Sequence, residues 1–138
     1  MKRASNLIEV AAEMESLERA YYLARRGKTF KKDVVAFSEN LFKNLTLLRD
    51  EMLSCEIRPG GYQYFTVYDK KPRTICAAPF RDRVLHHALM GVCDPIFEGH
   101  QIYDSYASRR GKGTFSALDR ASLYTRRYDW YFKMDIRK

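Results

Sequence analysis

Apolar residues recur with the period of an α-helix in the first third of the chain. The first set is Leu7, Val10, Met14, Leu17, Tyr21 and Ala24, and the second is Val34, Phe37, Leu41, Leu45, Leu48 and Met52. Such spacing places each set on one helix face. The pattern predicts helices over about 5–25 and 32–54, with a stop at Gly27 and a short link that favours an antiparallel pair. We expect both helices to serve as scaffold.

The pattern changes after Pro59-Gly60-Gly61. YQYFTVY (62–68) and RTICAA (73–78) are rich in aromatic and β-branched residues, and the turn formers 69–72 separate them. This arrangement is typical of a β-hairpin. Its tip carries two lysines, and Arg73 begins the return strand.

Helical spacing returns after Pro79. Val84, Leu85, Ala88, Leu89 and Val92 define the apolar face of a third helix. This helix is predicted over about 81–93 and closed by Asp94-Pro95, since the residue before a proline disfavours helical geometry. The segment 101–113 is loop-like, and Thr114 is suited to cap a fourth helix that ends near Arg126.

The last residues alternate between apolar and polar. Trp130, Phe132, Met134 and Ile136 fall on one side of an extended chain, and Tyr131, Lys133 and Asp135 fall on the other. Strand side chains alternate faces in this way. We therefore predict a strand over 129–136, with Asp135 near its end on the more polar face.

The charge of the chain is more informative about its partners than its length is. The chain has 138 residues, enough for one domain, and a formal net charge of +8; residues 61–138 hold 14 basic and 8 acidic side chains. A basic surface with many aromatic residues favours a polyanionic partner such as nucleic acid. No apolar run of about 18 residues suggests a membrane span, and the first residues lack the apolar core of a signal peptide, so a cytoplasmic location is expected.

Three blocks occur in an order that is informative as a whole. They are KPRTICAAPFRDRVLHHAL (71–89), DSYASRRGKGTFSAL (104–118) and FKMDIRK (132–138). Together they resemble the fingers and first palm strand of reverse transcriptases, particularly the bacterial enzymes of group II introns and diversity-generating retroelements. AYYLARRGKTF (20–30) is similar to the lead-in helices of the diversity-generating group. Ala107 and Phe115 depart from the family, in which glycine and histidine are frequent at these places.

The resemblance implies an α+β fold. It would be a mainly helical fingers region with a β-hairpin, ending in the first strand of a polymerase palm. On this interpretation residues 1–138 form a single incomplete reverse transcriptase domain. The regions are 1–58, the helical lead-in; 59–128, the fingers; and 129–138, the first palm strand.

The resemblance also implies an activity, RNA-directed DNA polymerisation by two-metal nucleotidyl transfer. Asp135 would be the catalytic carboxylate and would bind Mg²⁺, or Mn²⁺ in its place, with the carbonyl of Ile136 as a further ligand. Hard cations prefer such oxygen ligands. Arg73 and Lys71 would hold the triphosphate of the incoming nucleotide, because guanidinium and ammonium groups bind phosphate oxygens. The partners would be an RNA template, a DNA primer and deoxynucleoside triphosphates.

A basic loop precedes the fourth helix. Gly111 follows Arg109 and Arg110, and Gly113 follows Lys112 at the helix start. Free amides at a helix start and close backbone approach at glycine suit a phosphate. We expect the three cations and Gly113 to contact the nucleic-acid backbone, and the alternative is an ordinary surface turn.

Two further pairs lie on the third helix. Adjacent helical residues point about 100° apart, so His86 and His87 are interpreted as structural rather than as a shared metal site. Asp82 and Arg83 are expected to form an orienting salt bridge with some backbone contact.

The family's second metal-binding block, commonly [YF]-x-D-D, does not occur in this sequence. We therefore interpret the chain as the amino-terminal portion of a polymerase, inactive by itself, whose partners include the remainder of the polymerase or an accessory protein. The strand 129–136 would then lack neighbours and is expected to self-associate, to be disordered or to add to another strand. The alternative is a non-enzymatic nucleic-acid-binding module that keeps a fingers-like surface.

Overall fold

The fold is α+β. The structure is a computed structural model that describes residues 4–136, in two compact units divided after Ile96. Within these residues it contains six helices and one two-stranded antiparallel sheet. The elements are α1 (Leu7–Ala11), α2 (Met14–Arg25), α3 (Lys32–Glu39), α4 (Leu41–Leu53), β1 (Gln63–Tyr68), β2 (Pro72–Ala77), α5 (Phe80–His100) and α6 (Thr114–Thr125). No helix among residues 4–136 is both long and apolar enough to cross a bilayer.

The core of the first unit lies between α1 to α4 and the first turns of α5. Its largest buried side chains are Tyr21, Leu17, Leu45, Leu48, Met52, Val34 and Val84. The Tyr21 ring lies 6.1 Å from the rings of both Phe37 and Phe80. The helical faces predicted from spacing are therefore confirmed over most of their length, although Val10 is exposed.

Each of the two long predicted helices is broken into two. The first break falls between α1 and α2, and the second falls at Asn40, whose φ of −122° and ψ of 42° lie outside the helical region. The Asn44 side-chain amide donates to the Phe37 carbonyl at 2.9 Å, which satisfies a group left open at the end of α3. Apolar spacing continues through both breaks, so it carries no signal for them.

The predicted hairpin is confirmed. Phe65 pairs with Ile75, and Val67 pairs with Arg73, across an antiparallel ladder. Every residue of β1 is exposed. A two-stranded sheet is marginal in water by itself, so its attachment to the helices matters.

Helix α5 runs past the predicted stop at Asp94-Pro95 and ends at His100. The prediction was wrong because it used only the local preference of the residue before proline. The added turn carries Glu98, which Arg109 binds in the second unit. A tertiary contact thus accompanies the extension.

The second unit holds the end of α5, a loop and α6. Helix α6 confirms the predicted fourth helix, but Thr114 is its first residue and not its cap. Gly113 occupies the capping position, and no side chain caps the helix. Residues 129–136 form no strand, so that secondary-structure prediction was wrong. Alternation favours an extended chain, but a strand also needs a hydrogen-bonded neighbour. The end of the predicted 129–138 segment, residues 137–138, lies outside the described part of the chain.

Candidate nucleotide and nucleic-acid interface

The hairpin carries the two cations predicted to bind a nucleotide. Lys71 lies in the turn, and Arg73 lies opposite Val67 at the distal end of β2. Both are exposed, and neither forms an ion pair with any residue from 4 to 136. Their donors are therefore open to an anionic ligand.

The root of the hairpin is fixed by a buried carboxylate. Asp82 is 2% exposed and accepts hydrogen bonds from the Gly60 amide at 2.8 Å and from Arg81 Nη1 at 3.1 Å. Arg81 Nη2 also binds Glu51 on α4. Since Gly60 precedes β1 and Asp82 follows β2, one side chain holds both legs of the hairpin.

The expected pairing of Asp82 with Arg83 is wrong, although the expected backbone contact of Asp82 is confirmed. Arg83 Nη2 instead binds Asp33 at 2.9 Å, at the start of α3. Asp33 lies 50 positions earlier in the chain. No local pattern could have indicated this partner.

Arg109 holds the loop of the second unit together. Its side chain is 9% exposed, and Nε donates to both Glu98 oxygens at 2.9 and 3.1 Å. Nη1 donates to the carbonyls of Ile102 and Ser105 at 2.7 and 3.1 Å. The Arg109 hydrogen bond lowers the pKa of Glu98. Contact of Arg109 with nucleic acid stays a prediction, and in this structure its donors are used within the protein.

A second group that holds this loop, the carboxylate of Asp104, was not predicted from the sequence. Asp104 accepts from Arg120 Nε at 2.9 Å, Tyr106 Oη at 2.9 Å and Tyr124 Oη at 3.0 Å. The hydrogen bond from Arg120, followed by that from Tyr106, lowers the pKa of this carboxyl. Asp104 lies within the DSY block, but its distance of 16 residues from Arg120 gave no local signal.

The remaining loop residues differ in availability. The Lys112 ammonium lies 3.7 Å from the centre of the Tyr103 ring and also donates to the Tyr103 carbonyl. Arg110 is exposed. Gly113 has a φ of 131°, a conformation that favours glycine, directly before α6. Arg110 is thus the loop cation that is most open to a phosphate.

Asp135 and Ile136 are both exposed and lie in no regular element. Among residues 4–136 no group of three or more His, Cys, Asp or Glu side chains could hold a metal ion. Mg²⁺ keeps several waters and is usually held by one or two protein carboxylates together with substrate phosphates, so Asp135 and the Ile136 carbonyl would supply only part of its ligands.

The chain matches no protein-family model, and no curated protein is significantly similar to it. The likeness to reverse transcriptases therefore rests on the three sequence blocks.

Proposed function

We propose that this chain supplies the fingers surface of an RNA-directed DNA polymerase. Arg73 and Lys71 bind the triphosphate of the incoming deoxynucleotide, and the loop ending at Gly113 contacts the RNA template or DNA primer. Arg110 and Lys112 provide the charge of that loop. The observation that carries the proposal is the pair of cations, without an ion-pair partner among residues 4–136, at the tip of a hairpin with a fixed root.

The geometry supports phosphate binding at the hairpin for a physical reason. A guanidinium offers a planar set of donors that matches phosphate oxygens, and a lysine adds a mobile positive charge. Arg73 has no carboxylate partner among residues 4–136, whereas Arg109 uses its donors internally. The hairpin cations can therefore bind a ligand without first breaking an internal ion pair.

Asp135, with the Ile136 carbonyl, is proposed to contribute to a Mg²⁺ site. Two such ions stabilise the charge on the attacking and leaving oxygens during nucleotidyl transfer. Further carboxylates are needed to complete the site, and this sequence contains no adjacent pair of aspartates. The chain's own contribution is binding and orientation of the nucleotide and the nucleic acid.

Equilibrium binding of a fluorescent deoxynucleoside triphosphate tests the proposal. One charged hydrogen bond contributes about 1.5–3 kcal/mol, so Arg73→Ala should weaken binding by about 10–150-fold. Lys71→Ala should weaken it less, since its ammonium makes a looser contact. Lys43→Ala, at an exposed lysine on α4, is the matched control and should leave binding unchanged.

The monophosphate provides a second control. A triphosphate clamp predicts much weaker binding of the deoxynucleoside monophosphate and little effect of Arg73→Ala on it. Equal binding of both nucleotides, or an Arg73→Ala variant that behaves like Lys43→Ala, refutes the clamp. Retained RNA binding without nucleotide binding would favour the non-enzymatic module.

A further inference from the structure

A second basic surface lies outside all three sequence blocks. Residues 26–32, here called the basic loop, run from the end of α2 to the first residue of α3 and contain Arg26, Lys28, Lys31 and Lys32. None of these four cations forms an ion pair with a residue of the described part of the chain. Phe30, between them, is 80% exposed.

The basic loop has a defined backbone. The Lys28 amide donates to the Arg25 carbonyl at 2.9 Å, and the Lys31 amide donates to the Lys28 carbonyl at 3.0 Å. Gly27 has a φ of 69°, which allows the chain to turn directly after α2. Two consecutive turns thus define the backbone that carries the exposed Phe30.

The basic loop forms one wall of a cleft of about 580 Å³. Phe30, Lys31 and Lys32 line it on this side, and the paired residues Gln63 and Ala77 line it at the hairpin root. This volume is within the range of about 300–1,000 Å³ that is typical of binding sites for small molecules. The cleft is large enough to receive a nucleobase with its sugar and phosphate.

Two of the three charged residues that line the cleft, within the part of the chain that the structure describes, are lysines. Among residues 4–136, Asp33 is the only acidic residue that lines it, and its carboxylate is held by Arg83 at 2.9 Å. Lys31 and Lys32 lie at the start of α3, where the helix dipole is also positive. An anion bound there would reduce the repulsion between the two lysines and the positive end of the helix dipole.

One face of the hairpin begins at the two strand residues that line the cleft, Gln63 and Ala77. Side chains alternate along a strand, so Gln63 and Ala77 share a face with Phe65, Ile75 and Arg73. An extended ligand that leaves the cleft along this face would therefore pass apolar side chains and reach Arg73.

We propose that the basic loop and this hairpin face form a groove for single-stranded RNA, with one base stacked on Phe30 and phosphates bound by Lys31 and Lys32. Exposed aromatic rings beside cations bind single strands through base stacking and backbone charge. The inference rests on the proposed function, because the bound strand would be the template. An acidic protein partner could form ion pairs with the lysines, but its binding would not require the exposed Phe30 ring.

Fluorescence anisotropy with a labelled 12-nucleotide RNA tests the groove, with heparin as a polyanion that lacks bases. Phe30→Ala should weaken RNA binding about tenfold, because it removes one base–aromatic stacking contact, and it should leave heparin binding unchanged. Lys31→Ala combined with Lys32→Ala should lower the slope of log K against log salt by about 1.4, or about 0.7 for each phosphate that is no longer neutralised.

Phe42 and Lys43 on α4 provide matched controls. Phe42 is 73% exposed, Lys43 is exposed, and neither lines the cleft. Phe42→Ala and Lys43→Ala should bind RNA as the unmodified chain does. Because the substituted side chains are exposed, circular dichroism should show unchanged folding in every variant.

Several results would overturn the groove. The first is that Phe30→Ala binds RNA as tightly as Phe42→Ala does. The second is that Phe30→Ala loses RNA and heparin binding equally. The third is that the chain binds poly-glutamate as tightly as it binds RNA. If groove variants lose RNA while Arg73→Ala keeps triphosphate binding, the groove stands and the proposed clamp fails. If Arg73→Ala loses the triphosphate and groove variants keep RNA, the clamp stands and the groove fails.

Discussion

Removal of the Asp82 carboxylate should destabilise the first unit and release the hairpin root. In Asp82→Ala the Gly60 amide has no acceptor, and Arg81 keeps only Glu51. Both of the hydrogen bonds removed involve a charged group, and Asp82 is almost completely buried. The substitution therefore removes an anchor as well as a charge.

The size of the effect follows from the burial of each partner. A hydrogen bond to a buried carboxylate contributes about 1.5–3 kcal/mol, which we assign to the Gly60 amide. The Arg81 side chain is 29% exposed, so solvent screening reduces its ion pair to about 1 kcal/mol or less. We therefore expect the free energy of unfolding to fall by about 1.5–4 kcal/mol.

Urea denaturation followed by circular dichroism measures this change. Asp50→Ala is the matched control, since the Asp50 side chain is 63% exposed and lies 3.8 Å from Arg49. Exposed pairs of this kind contribute about 0–1 kcal/mol. An Asp82→Ala variant no less stable than Asp50→Ala would refute the anchoring role. Faster amide exchange at the hairpin root, compared with α4, would locate the change.

Three further predictions concern other parts of the fold. A Cβ at Gly60 would lie 2.8 Å from Pro79 Cγ, whereas one at Gly61 meets nothing within 4 Å, so only Gly60→Ala should lower the urea midpoint. Desolvation lowers the pKa of His87, so the unfolded chain binds more protons and the free energy of unfolding should fall as pH drops below about 6.5. His87→Gln should reduce this dependence of stability on pH, measured by urea titrations at several pH values. Arg109→Lys cannot reproduce the bidentate hydrogen bonding to Glu98 and should speed amide exchange in 101–113, measured by mass spectrometry, without changing the exchange of α4.

Local signals in the sequence were sufficient for several elements. The spacing that includes Leu17 and Tyr21 identified the buried helix face, because a helix repeats its contacts every three or four residues. The turn at 69–72 between two β-branched runs identified the hairpin, because its two strands are neighbours in sequence. The exposed position of Arg73 could be anticipated from the same hairpin.

Other features depend on partners that are distant in sequence. Asp82 bonds to Gly60, 22 positions away, and the occupied donors of Arg109 depend on the extension of α5 to Glu98. Residues 129–136 alternate as a strand does, but pairing requires a neighbour that alternation cannot supply. The cleft beside Phe30 likewise exists only because the fold brings the α2–α3 connection next to the hairpin root. Apolar faces and turns could be located from the chain alone because they depend on near neighbours, whereas the burial, pairing and availability of its charges depend on how distant segments pack together.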